Sequence, residues 1–128
     1  YPSAAALASF LIANHTDPEV HRTYGHALFG MGEHKRALAA YKSALDLMWK
    51  PAESVGGAEW TELVWRVAEC QRLTNDFIGQ KMTLERIKAP QRPLKVNVAL
   101  GGLYRRFGSD AFAIASFQEA LVQNPFAV

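Results

Sequence analysis

The chain has 128 residues, of which 49% are hydrophobic and 20% charged, with a formal net charge of +2. That is one domain's length, enough to bury a sizeable core, and a composition neither disordered nor membrane-like. So small a net charge leaves no electrostatic footprint for nucleic acid or a membrane surface. Cys70 is the single cysteine, so no intrachain disulfide can form, and a reducing compartment such as cytosol or nucleus fits.

Taken in order, the apolar residues recur at helical spacing and strand alternation is absent. The stretch from Ala4 to Ala13 is too short to span a bilayer and follows no basic leader. With Tyr1 in place of methionine, the chain reads as a fragment opening on a core helix from Ser3 to Asn14, striped by Leu7, Phe10 and Leu11. Asp17-Pro18-Glu19 then offers a capping side chain, a proline and a first-turn acid. Stripes follow at Tyr24, Ala27, Leu28 and Met31, and at Leu38, Tyr41, Leu45 and Met48, divided by Gly32. Lys50 to Ala58, with Pro51, Gly56 and Gly57, reads as a surface loop. Beyond it come Leu63, Val67, Cys70 and Leu73, a turn at Asn75-Asp76, then Leu84 and Ile87. Pro93 opens the next helix, with Val96, Leu100, Leu103, Tyr104 and Phe107; Gly108 ends it, and Ile114, Phe117 and Leu121 stripe the last. About seven helices with short connections predict antiparallel helix pairs.

The pairs repeat. Aligned on Gly25, Ala68 and Gly101, the gaps are 43 and 33 residues. The second matches the tetratricopeptide repeat (TPR), a helical hairpin of about 34 residues, and the first does so once the inserted loop is discounted. The predicted fold is therefore an all-α TPR helical-hairpin superhelix. Its parts are a leading helix over 1–15, a first unit over 18–49, the loop over 50–58, a degenerate second unit over 59–88 and a third over 93–125. Tight helix crossing needs small residues at the contact and bulky ones beside it. The third unit supplies Leu100, Gly101 and Tyr104, then Ala113, Phe117, Ala120 and Pro125. The first supplies Tyr24, Gly25 and Leu28, then Ala37, Tyr41 and Ala44, with His21 where the pattern prefers tryptophan. The second keeps Val67, Ala68 and Cys70, but Gln80 and Ile87 replace small residues around Leu84, which predicts a looser or shifted crossing.

Four segments carry a closer likeness: Arg66-Val-Ala-Glu-Cys70, Ala89-Pro-Gln-Arg-Pro-Leu-Lys-Val-Asn97, Leu103-Tyr104-Arg-Arg-Phe-Gly108, and Ser116-Phe-Gln-Glu-Ala-Leu-Val-Gln-Asn-Pro125. They resemble the amino-terminal region of the anaphase-promoting complex subunit 7 family, which has a similar Lys/Arg-x-Ala-Glu-Cys segment and a Gln-Arg-x-Pro-Lys-x-Asn link. Here the link places Pro93 one position early, and the inserted loop is shorter. The resemblance implies a non-catalytic scaffold of a mitotic ubiquitin ligase, working in nucleus and cytoplasm. Members of that group homodimerise through amino-terminal repeats and contact other subunits through carboxy-terminal ones.

No catalytic, cofactor-binding or metal-binding set is read from the sequence. His21 and His26 are five apart and share no helix face as a metal pair would, so His15, His21, His26 and His34 read as solvated or capping. Cys70 falls at a packing position. Gly101 serves helix packing; at Gly102 either a partner comes close or glycine is merely tolerated. Arg92, Lys95, Arg105 and Arg106 lack interleaved aromatics for stacking bases. The expected partners are a second copy and other subunits of a large complex, with no nucleic acid, membrane or small-molecule substrate. First helices of TPR units line a groove, which here would carry Arg22, His26 and Phe29, then Trp65, Glu69 and Arg72, then Val98, Gly102, Arg105 and Arg106. Phe29 and Trp65 suit a buried guest helix, the Leu7, Phe10 and Leu11 face of another copy, against the alternative that this helix packs on its own stack as a cap. The alternative is a monomeric adaptor whose Arg22, Arg72, Arg105 and Arg106 grip short acidic or carboxy-terminal peptides.

Overall fold

The structure, a computed structural model, describes residues 16–48 and 57–124. The predicted leading helix, most of the loop and Pro125 lie outside the described residues. Within them run α1 (Pro18–Gly30), α2 (His34–Met48), α3 (Ala58–Leu73), α4 (Phe77–Glu85), a short 3-10 turn (Ala89–Gln91), α5 (Leu94–Arg106) and α6 (Asp110–Gln123). No strand occurs among the described residues. Each helix packs on the next, with the largest interfaces inside the hairpins α1–α2 and α5–α6. The protein is an all-α stack of TPR-type helical hairpins.

Local chemistry sets the helix ends. Asp17 caps α1 by accepting from the Glu19 amide at 2.9 Å, with Pro18 as its first residue. Asp76 caps α4 by accepting from the Gly79 amide at 3.0 Å. Each hairpin turns through a left-handed residue: Gly32 (φ 81°), Asn75 (φ 63°) and Gly108 (φ 77°). One residue later an amide reaches back to the helix, Glu33 to Leu28, Asp76 to Gln71 and Ser109 to Tyr104. These are three copies of the same Schellman closure, in register with the repeat.

Packing explains the motif. A methyl group on Gly25 would lie 2.8 Å from Tyr41 ring carbons, and one on Gly101 would lie 2.5 Å from Phe117. Each glycine makes room for the aromatic of the opposing helix. At the same spacing the second hairpin has Ala68 and Leu84, a larger small residue with a smaller knob, both buried. That hairpin also replaces small-residue packing with a buried hydrogen bond, in which Thr83 Oγ1 donates to Gln71 Oε1 at 2.6 Å. The α4–α5 interface is the least extensive of the sequential ones. Its cause is the shortness of α4, whose continuation Pro90 and Pro93 forbid. Ile87 therefore lies past the helix end, yet is fully buried beside Leu84, each worth about 1.5–3 kcal/mol of burial.

The structure corrects several expectations. On α6 the buried face is Ala113, Ser116 and Ala120, while Ile114 (57% exposed) and Leu121 (41%) are open. The aligned positions on α2 are Leu38 and Leu45, which α3 covers; among the described residues no helix follows α6 to do so. Met31, assigned to a stripe, is 73% exposed because it follows α1 in the turn. The histidines are not simply solvated. His21 is buried, as the bulky packing residue its motif position demands. His34 opens α2 with its ring edge against Phe29, centroids 5.1 Å apart. His26 meets Tyr41, and His15 lies outside the described residues.

Candidate protein-binding groove

Helical spacing puts Arg22, His26 and Phe29 on one face of α1, Trp65, Glu69 and Arg72 on one face of α3, and Val98, Gly102 and Arg105 on one face of α5. An ion pair links α3 and α5: Lys95 Nζ donates to Glu62 Oε2 at 3.0 Å. At the same offset along the chain Trp65 corresponds to Val98, Glu69 to Gly102 and Arg72 to Arg105. Lys95 also stands 4.8 Å from the centroid of the Trp65 ring. Glu62 and Lys95 were missed as a pair from the sequence, although the offset relating Ala68 to Gly101 also relates them.

The groove is a lattice of charge on a partly apolar floor. Arg22 pairs with Glu19 and Arg72 with Glu69, the latter at 2.9 Å. Arg66 reaches Glu62 at 3.2 Å. Trp65 is half-buried and Val98 is 43% exposed. A methyl group on Gly102 would meet nothing within 4 Å among the described residues, none of which requires glycine there. Two expected members leave the row. Arg106 lies 4.0 Å over the Phe77 ring, turned towards α4, and Phe29 packs on its own hairpin through His34. The basic cluster also disperses, because Arg92 donates from Nε to the Ile87 carbonyl at 2.8 Å and so serves the link.

His26 anchors the groove's edge. Its Nδ1 lies 2.6 Å from the Tyr41 hydroxyl. Burial, then Arg66 and Arg22, lower its pKa, favouring the neutral ring that shares this hydrogen bond with the tyrosine hydroxyl. Burial raises the pKa of Tyr41. Nothing here resembles an activated nucleophile. Cys70 is fully buried, with its thiol pushed up to about 11 by burial and by Glu69. Among the described residues no three of His, Cys, Asp and Glu gather as metal ligands do, and no helix is long and apolar enough to cross a membrane.

Fold and groove together define a helical-repeat stack presenting a mixed apolar and charged surface. No family model matches the chain. It is similar to anaphase-promoting complex subunit 7 of Arabidopsis thaliana, 26% identical over 156 aligned residues, 98% of this chain and 28% of that protein. It is similar also to the subunits 7 of Homo sapiens (26% over 121 residues) and Mus musculus (28% over 124), each alignment covering 82% of this chain and 21% of the relative. These matches support a relation at the level of the family. The chain spans only about a quarter of the length of the relatives it matches.

Proposed function

We propose that the chain is a non-catalytic interaction scaffold of an anaphase-promoting type of complex, self-associating through its groove. In this reading the Leu7, Phe10 and Leu11 face of one copy docks along Trp65, Val98 and Gly102 of the other, with His26 and Arg105 at the margins. The observation that supports it is Gly102: glycine costs an exposed helix stability, and no described residue demands it, which suits close approach by a partner. Other subunits of the complex are its further partners, and the nucleus and cytoplasm its working compartments, as the similarity to subunit 7 suggests. Arg22 and Arg72 already hold carboxylates of their own helices, which weakens the alternative of an acidic-peptide clamp. Light scattering tests the proposal. Phe10→Glu with Leu11→Glu is expected to halve the solution mass; an unchanged mass would sink the docking idea.

A further inference from the structure

A second surface lies between α2 and α4. A cavity of about 390 Å³ opens there, floored by the buried Leu45 and Val67 and by the Gln71–Thr83 hydrogen bond. Met82, 63% exposed, forms one wall, and Ile78, 65% exposed, stands one turn before it. These features are particular to α4. Aligned on Tyr41, Leu84 and Phe117, the positions matching Gly79 are Arg36 and Phe112, and those matching Met82 are Ala39 and Ala115. At the first position the Asp76 carboxylate that caps α4 fills the space a side chain on Gly79 would take, and at the second only the middle hairpin has a long, adaptable apolar side chain.

The rim is charged and unpaired. Arg22, Arg66, Arg72, Lys81 and Lys95 each hold a glutamate. Lys42 and Arg86 line the cavity with no carboxylate partner among the described residues; Arg86 instead stands 5.7 Å from the Trp60 ring. Asp46 is the single acid at the rim. Two cations against one acid beside an apolar trough leave the rim with an excess of positive charge, complementary to acids flanking an apolar anchor.

We infer that this groove docks a short acidic segment of a partner protein, through an apolar side chain seated on Leu45, Val67 and Met82. Carboxylates of the segment meet Lys42 and Arg86, and Asp46 takes one of its backbone amides. The surface is separate from the groove formed by α1, α3 and α5, so a stack with both faces engaged joins two partners at once.

The test is fluorescence anisotropy with the labelled peptide Glu-Asp-Leu-Leu-Asp-Glu, alongside a version with every acid replaced by lysine and one with serines for the leucines. Binding of the acidic peptide is expected to weaken about tenfold in Met82→Glu and in Lys42→Glu, and to fall as salt rises from roughly 50 to 200 mM. Both residues are exposed, so the circular dichroism and thermal midpoint of the variants should match the parent. Absent binding overturns the proposal. So does equal binding of the lysine or serine peptide, or binding unaltered in both variants. A solution mass that drops on Met82→Glu would assign the groove to a second copy and also overturn it.

Discussion

Replacing Gly101 or Gly102 by alanine adds one methyl group at adjacent positions of α5, and the structure gives the two substitutions opposite signs. Both gain the same intrinsic helix propensity, about 1 kcal/mol, so the difference between them isolates packing. At Gly102 the methyl group meets nothing within 4 Å, and the whole gain should appear as stability. At Gly101 it would lie 2.5 Å from Phe117 Cε1, 2.7 Å from Cζ and 2.8 Å from Cδ1. The contact distance of carbon atoms is about 3.5–4.0 Å, so the ring must retreat by roughly 1 Å, at an overpacking cost of about 1–3 kcal/mol. Phe117 is half-buried against the core, so the retreat spoils other contacts. Gly102→Ala is thus expected to melt above the parent, and Gly101→Ala about 1–3 kcal/mol less stable than Gly102→Ala, a gap of roughly 3–10 °C. Thermal unfolding followed by circular dichroism measures it. A Gly101→Ala protein at least as stable as Gly102→Ala would refute the account of the repeat's small residue. Gly102→Ala has a second readout: it should raise monomer stability while weakening self-association.

Further outcomes follow from the buried polar groups. The lowered pKa of His26 means that the unfolded chain binds its proton more readily, so its contribution to stability is present above about pH 6.5 and is lost as the pH falls; urea unfolding at several pH values should show a shallower acid loss in His26→Gln. Thr83→Val leaves Gln71 Oε1 buried without its donor and should cost about 1–3 kcal/mol, much of it recovered by adding Gln71→Met, as a double-mutant cycle would show. Cys70, buried and with its thiol at about 11, should resist iodoacetamide near neutral pH until the chain unfolds. Alkylation of the native chain as fast as of a denatured one would contradict the burial.

Much of the fold was legible along the chain because its causes are local. Asp17-Pro18, Gly32, Asn75-Asp76 and Gly108 specify helix ends through their own backbone chemistry, and the recurrence of Gly25, Ala68 and Gly101 specifies the hairpin. The degeneracy of the middle unit was visible at Gln80 and Ile87, whereas the end of its second helix at Glu85 was not. What the stack decided was which of two apolar faces each helix buries. Periodicity marked Ile114 and Leu121 as core, but burial requires a covering neighbour, and α6 has none among the described residues. Tertiary placement likewise turned Arg106 and Phe29 away from the groove row, brought Lys95 onto Glu62, and left space above Gly102. The spacing of residues on one helix says which side chains share a face, but only the packing of several helices determines what that face meets.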